Sequence, residues 1–306
     1  MTPLSNAPLQ TQSLVKRYGG LLATDNVSLS LVHGELHAII GPNGAGKTTL
    51  IGQLGGELQP DSGDIFLQGE RVTTLPAADR ALRGLARSYQ ISSAFPEFTV
   101  LESVALAKQA HGSHSFGAWR ALLQRTHLVD AAEHAIAKAG LRHRISQRVS
   151  ELAHGERRQL ELAMVLVSQP KVLLLDEPMA GMSHQESMKV VDLLAGLKGQ
   201  YTLLLVEHDM QAVFALADTI SVLVNGAIIA SGKPAVLCRT TNASTPIADR
   251  VSTVSRKLSP LFTLDDVALK VIVSADNRLA AVSKDKRVRV LSSKKRLTTV
   301  LWRSAG

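Results

Sequence analysis

Residues 41–48 read Gly-Pro-Asn-Gly-Ala-Gly-Lys-Thr, a gapless match to the phosphate-loop pattern GxxxxGK[ST]. The chemistry such a set performs is anion capture. Glycines let successive backbone N–H groups turn inward around a polyphosphate, and the N-terminus of a following helix adds partial positive charge. Gly41, Pro42, Asn43, Gly44, Ala45 and Gly46 would form the cradle. Lys47 would reach the β- and γ-phosphates, the Thr48 hydroxyl would ligate Mg²⁺, and Thr49 belongs to the nucleotide-binding set. Glycines that serve only a turn are the competing reading, and a lysine and a hydroxyl at these two positions speak against it. A second set lies at Asp176-Glu177-Pro178, directly after the apolar run 171–175. Acids at the C-terminal end of a buried strand stand where doubly wound sheets bind ligands. Asp176 is then the expected Mg²⁺ partner opposite Thr48, and Glu177 is placed to orient or deprotonate an attacking water; two solvated surface acids are the alternative. His208 follows another apolar run, 201–206, and is expected on the same edge. Tyr18, just before Gly19-Gly20, can stack on a purine or sit half-buried in a core.

The elements that would position these residues can be read around them. Residues 35–40 form an apolar run that reads as a buried strand, and a helix can start at 49–51. Strand, glycine-rich loop and helix are the context a phosphate loop needs. Residues 13–18 and 26–31 read as strands near the nucleotide edge. Gly52, Gly55 and Gly56 fall inside or at the end of the helix, where each interior glycine costs about 0.5–1 kcal/mol, so close packing against a neighbour is expected. Residues 60–63, Pro-Asp-Ser-Gly, form a turn; 64–67 read as a strand, and 76–83 as a helix beginning at its proline. From 98 to about 169 the pattern becomes helical, over 100–109, 119–124, 130–139 and 156–167, with Gly112, Ser113, Ser115 and Gly117 as a loose connection. This predicts an α-helical insertion within an α/β core. Residues 171–175 and 201–206 suit the middle of a parallel sheet, 184–197 a helix, and 219–224 with 227–230 a hairpin turned at Asn225-Gly226. The nucleotide-binding body is expected to close near Val236.

Composition narrows the class. The chain has 306 residues and a formal net charge of +8. Residues 239–306 carry 14 Lys/Arg against 5 Asp, leaving 20 Lys/Arg and 21 Asp/Glu in residues 1–238. The basic character belongs to the tail, so it gives the nucleotide-binding part no nucleic-acid footprint. No apolar run approaches the ~18–20 residues needed to span a bilayer. Residues 1–10 lack a basic start followed by an apolar stretch, so secretion is not expected. The single cysteine, Cys238, excludes an intramolecular disulfide and fits a reducing cytoplasm.

A further segment, Leu152-Ala153-His154-Gly155-Glu156-Arg157-Arg158-Gln159, precedes a helix and lies upstream of Asp176. Together with residues 41–48, Gln90, residues 173–177 and His208, it resembles the ATP-binding subunit of an ABC transporter. The resemblance covers roughly residues 12–236 and every expected motif appears in order. It implies an α/β fold: a P-loop NTPase core of the ABC ATPase kind, with an antiparallel β edge and an α-helical subdomain at about 91–168. The domain would span 1–238, followed by a basic C-terminal extension at 239–306. Carried over by position, Gln90 resembles the glutamine that touches the metal site and couples it to the membrane partner. His208 resembles the switch histidine, and Tyr18 the aromatic that stacks on adenine. Ala153, His154, Gly155 and Glu156 resemble the signature that binds the γ-phosphate held by the opposite subunit. The implied activity is ATP hydrolysis with ATP and Mg²⁺, catalysed by Glu177, His208 and Gln90. The implied partners are a second ABC ATPase subunit in a head-to-tail homo- or heterodimer, integral membrane permeases and, indirectly, a solute-binding protein. The implied location is peripheral, at the cytoplasmic face of the inner membrane.

Residues 15–20, 155–163, 179–182 and 206–210 are similar to the importers of branched-chain amino acids and of urea or amides. The lipopolysaccharide-export ATPases share part of this texture. A soluble ABC-type ATP switch uncoupled from transport is another reading, although such proteins often carry two nucleotide domains and one phosphate loop is present here. Three departures stand out. Ala153 replaces the signature serine, removing a hydroxyl whose bond to the γ-phosphate would be worth roughly 1.5–3 kcal/mol, so hydrolysis is expected to be weakened and not abolished. Ser183 stands where the family more often has an acidic or amide residue. The tail replaces the short helical ending of the importers. Residues 240–259 have a composition that favours disorder. Residues 267–273 and 288–291 can form strands, and 284–289 with 294–296 form basic clusters that suit anionic lipid. A poorly structured extension, for example from a shifted reading frame, is the competing reading.

Overall fold

The computed structural model describes residues 7–88, 95–110 and 126–235, together with four short strands in the tail. Gln90, Cys238, residues 119–124 and the loose connection at 112–117 lie outside the described residues. The chain divides into two compact units, Met1–Pro234 and Ala235–Gly306.

In the first unit, strands β1 (Leu9–Tyr18) and β2 (Leu21–Ser30) pair antiparallel through a tight turn at Gly19-Gly20. They join β4 (Ser62–Leu67) and β5 (Glu70–Arg71) in a four-stranded antiparallel sheet ordered β2-β1-β4-β5. Both long strands start earlier than the sequence suggests, because the pairing absorbs irregularities at Ser13 (φ 48°) and Asn26 (φ 50°), positions that interrupt a strict period of two. The main sheet contains β3 (Leu36–Ile40), β6 (Leu85–Arg87), β7 (Val172–Asp176), β8 (Thr202–Val206), β9 (Thr219–Val224) and β10 (Ala227–Gly232). Its order is β10-β9-β3-β8-β7-β6, parallel except for the β9–β10 hairpin.

Because β7 is apolar from Val172 to Leu175 and β8 from Leu203 to Val206, each can feed two cores. Leu173, Leu175, Leu203 and Leu205 face the helical side, while Val172, Leu174, Leu204 and Val206 face the phosphate-loop helix and the antiparallel sheet. On the helical side lie α3 (Val100–Ala110), α4 (Thr126–Lys138), α5 (His154–Leu166), α6 (His184–Leu197) and α7 (Met210–Leu216). Helix α6 runs over the residues expected from its pattern, helped by Ser183, whose Oγ accepts from Glu186 N–H while the Glu186 carboxylate returns a bond to Ser183 N–H (3.0 Å). Helix α7 went unpredicted. It is short, and its signal is the Asp209 cap, whose Oδ1 accepts from Gln211 N–H (2.8 Å) and Ala212 N–H (3.3 Å).

On the other side, α1 (Lys47–Gly55) and α2 (Ala77–Leu82) are fastened by Arg80. Its side chain is fully buried and donates to the carbonyls of Gln53 (2.6 Å), Leu54 (2.7 Å), Thr73 (2.8 Å) and Leu75 (3.0 Å). Two of those carbonyls belong to the last turn of α1, where a helix leaves carbonyls without an internal partner and favours a cation. Burial brings the Arg80 guanidinium down to about 10, so it keeps its charge at neutral pH. The glycines of α1 have the contacts their cost called for. A Cβ on Gly52 would lie 2.9 Å from Leu58 Cδ1, and Gly56 (φ 88°) closes the helix 2.9 Å, by the same measure, from the backbone nitrogen of Ala77.

The second unit contains four short antiparallel strands, β11 (Lys270–Val273), β12 (Leu279–Val282), β13 (Val288–Val290) and β14 (Thr298–Val300), paired in sequence order. Two of them fall on runs read as strands above. The other two lie beyond residues 240–259, in stretches where no strand is expected; Ala280-Ala281 and Thr298-Thr299 carry too weak a pattern to show on their own.

Candidate active site

The phosphate loop, Asp176, Glu177 and His208 lie where the parallel strands end. In the sheet register Ile39 stands beside Val206, and Val206 beside Asp176. The loop after β3, the acids ending β7 and the histidine after β8 therefore share one edge.

Residues 41–46 wrap from β3 into α1. Gly46 caps the helix at φ 100°, and Gly44 turns at φ 77°, a region glycine enters without strain. Space is as decisive as torsion. A Cβ on Gly41 would lie 2.0 Å from Leu223 O, and one on Gly46 would lie 2.0 Å from Ala23 O. The loop is pinned from outside by the β9–β10 turn: Gly226 N–H donates to Ala45 O (2.9 Å), while Gly226 O accepts from Asp25 N–H (2.8 Å). The Asn-Gly hairpin, with Asn225 at φ 48°, thus serves the site as well as the sheet.

Lys47 is 7% exposed, and its Nζ donates to Gly41 O (2.7 Å) and Pro42 O (3.1 Å), curling back over its own loop. Burial lowers its pKa, and the nearby Glu177 and Asp176 oppose that shift. An ammonium held against the loop by neutral carbonyls can exchange them for phosphate oxygens. Across the edge, burial pushes Asp176 above the usual carboxylate range; Arg87 opposes this and Glu177 adds to it. Arg87 bonds Glu57 and, through Nη2, Asp176 Oδ2 (3.1 Å). Ordinary signals of sequence did not single out Arg87; its only mark is a charge ending the short strand β6.

Glu177 has φ 48°, uncommon for a residue with a side chain, and its N–H donates to Val206 O (2.9 Å). His208 projects from the next strand end, with Nδ1 3.9 Å from Glu177 Oε1 and 3.7 Å from Glu207 Oε2. Tyr18 is 47% exposed at the hairpin tip, with Lys16 Nζ 5.8 Å from its ring centroid.

The 152–156 segment forms the tip of α5. Ala153 is the N-cap residue and offers no side-chain acceptor; the Glu156 carboxylate accepts from Ala153 N–H (3.0 Å) and is held by Arg144 Nε (2.7 Å). Ala153 and His154 are exposed, and Gly155 faces Glu186, whose Oε1 would lie 3.1 Å from a Cβ added there.

Among the described residues no cluster of three or more His, Cys, Asp or Glu is arranged to hold a metal. Asp176 with the exposed Thr48 hydroxyl still fits Mg²⁺, which is commonly held by one or two protein oxygens plus phosphate and water. The acidic pair Asp176 and Glu177, with an ionisation penalty on Asp176, is an environment a divalent cation relieves.

This geometry coincides with a family. The family described as ABC transporter matches residues 24–180, and the chain belongs to it. It is an ATP-hydrolysing transport subunit, with the nucleotide-binding P-loop fold of that class. Among named relatives, the high-affinity branched-chain amino acid transport ATP-binding protein LivG of Escherichia coli K12 is 36% identical over 240 residues, covering 76% of this chain and 93% of LivG. BraF of Pseudomonas aeruginosa, of the same description, is 35% identical over 238 residues with the same coverage. Among solved structures, the ADP conformation of MJ1267, an ATP-binding cassette of an ABC transporter, superposes with a TM-score of 0.68 at 28% identity, covering 79% of this chain and 97% of that one. A nucleotide-free cassette gives a TM-score of 0.65 at 29% identity, covering 74% and 91%. No helix among the described residues is long and apolar enough to cross a membrane.

Proposed function

We propose that this chain energises the import of branched-chain amino acids, or of related small polar solutes such as urea or amides. The observation that carries the reading is the 36% identity with LivG, over nearly the whole length of that amino-acid transport subunit. The chain works as one of a pair of ATPases at the cytoplasmic face of the membrane, docked on permeases that receive solute from a binding protein.

In this mechanism the amides of residues 41–46 and Lys47 hold the β- and γ-phosphates, and Tyr18 stacks on adenine. Thr48 and Asp176 would hold Mg²⁺, joined by Gln90 as the family resemblance implies; the ion would supply charge neutralisation at the phosphates. Glu177 orients the attacking water and takes up its proton. His208 donates to the γ-phosphate and reports its presence. Ala153, His154, Gly155 and Glu156 present the α5 N-terminus to the phosphate bound by the partner subunit. Phosphoryl transfer asks mainly for positioning and charge, which these groups provide without covalent chemistry.

The test is reconstitution of the chain with its permeases in vesicles, with the solute receptor outside and ATP inside. Leucine uptake should follow ATP hydrolysis and fall about 100-fold in Lys47→Ala, the scale expected when a phosphate clamp is lost. Hydrolysis stimulated by lipopolysaccharide and indifferent to the leucine-loaded receptor would overturn the importer reading.

A further inference from the structure

Glu207 is buried to 0% exposure in the turn between β8 and α7, where a carboxylate pays a desolvation cost. Its partners are backbone amides on two different segments. Oε1 accepts from Met179 N–H (3.0 Å), in the loop that follows Glu177, and Oε2 accepts from His208 N–H (3.1 Å). Asp209 N–H also points at it. A buried charge held this way is weak evidence for stability, since an apolar residue of similar volume often serves as well. What it provides is a bridge.

The bridge falls where the backbone is strained. Glu177 sits at φ 48°, a conformation that persists only when its surroundings over-determine it. Two bonds do so, both from the end of β8. Val206 O accepts from Glu177 N–H (2.9 Å) ahead of the residue, and Glu207 takes Met179 N–H two residues beyond it. The same Glu207 carboxylate fixes the peptide that carries His208 and lies 3.7 Å from its Nδ1. The two side chains that would flank the γ-phosphate are thus set by one fully buried group.

We propose that Glu207 is a positioning residue, whose carboxylate fastens the loop after Glu177 to the peptide of His208 so that base and imidazole keep a common register. The inference rests on the ATPase mechanism above and adds to it a coupling within one chain. Glutamine has nearly the same volume but only one amide oxygen, so it can serve one flank while its NH₂ opposes a donor on the other.

The experiment is single-turnover and steady-state ATPase of Glu207→Gln in the permease-bound complex, in the wild-type and His208→Ala backgrounds. In the wild-type background kcat should fall about tenfold with KM for ATP within twofold, whereas with His208 already removed the same change should cost a clearly smaller factor, about threefold, because only the Glu177 flank is left to disturb. Glu207→Asp, which keeps a carboxylate, should recover part of the rate. An unchanged kcat, or an equal loss in both backgrounds, overturns the proposal. If Glu207→Gln does not fold, Glu207→Asp decides alone: its kcat must fall at unchanged KM, and a wild-type rate overturns the proposal. A wild-type complex without ATPase would instead defeat the mechanism on which the inference rests.

Discussion

The phosphate-loop edge and the α5 tip both present the N-terminal end of a helix, yet they are built in opposite ways. At the loop edge the chain supplies everything. Gly41 and Gly46 leave no room for a Cβ, the β9–β10 turn pins Ala45, and Lys47 lies against the loop it serves. At the α5 tip the chain supplies a surface. Ala153 and His154 are exposed, the cap residue lacks an acceptor, and the nearest anions are this chain's own Glu156 and Glu186. In the mechanism proposed above, the contrast teaches that one half of the pocket is finished by folding, while the other would gain its purpose when a second molecule brings a phosphate to it.

The sharpest way to break the contrast is at Gly46. Alanine there meets Ala23 O and must hold φ 100°, so Gly46→Ala should cost about 3 kcal/mol or more and leave no measurable ATP binding by titration calorimetry. A folded variant that still binds ATP would show that the loop edge is as tolerant as the tip. The tip should respond in the other direction. Ala153→Ser adds a hydroxyl to a cap position that has none, which should raise kcat up to about tenfold and stabilise the helix by about 1 kcal/mol. An unchanged rate would mean that Gly155 and the helix amides already saturate the contact.

A smaller effect separates the two regions by the sign of their pH dependence. Asp176 is raised above its ordinary 3.8, chiefly by burial, so its ionised form burdens the nucleotide-free fold. The folded state binds that proton more tightly than the unfolded chain, so stability falls as pH rises through the window above 3.8. Asp176→Asn should therefore melt higher than the wild type at pH 7 in chelator, the gap closing as pH falls toward that ordinary value. For Glu156, burial pushes upward but the Ala153 N–H bond and Arg144 prevail, leaving it below its ordinary 4.5. Its contribution is present above 4.5 and is lost as pH falls through the lowered folded value, so Glu156→Gln should melt below the wild type at pH 7, with a difference that vanishes in acid. Thermal scans across pH that show the same sign at both residues would erase the distinction.

Much of the loop edge was legible because its information is local. Residues 41–48 carry glycine, lysine and threonine at fixed spacing, and the runs leading to Asp176 and to Glu207-His208 are apolar enough to announce buried parallel strands. The insertion, the hairpin and α6 were legible for the same reason: period, turn residues and caps lie within a few positions of one another. What stayed hidden depends on partners distant in the chain. Nothing near Glu207 says that it reaches Met179, and nothing near Arg87 says that it bridges Glu57 and Asp176. The short helix α7 and strand β6 owe their existence to neighbours that cover them. At Ala153 the departure itself could be read, but its surroundings, with Arg144 steadying Glu156 and Glu186 crowding Gly155, required the assembled chain.

The clamp made by Arg80 has a mechanical consequence. With its guanidinium lodged among four carbonyls, two of them closing the last turn of α1, that helix can neither slide along its axis nor unwind at its far end without stranding a buried cation. The phosphate loop rides on a strut held at both ends, so under the mechanism proposed above a displacement caused by ATP would be passed on as the swing of a whole block, a stroke that could push a membrane-embedded neighbour.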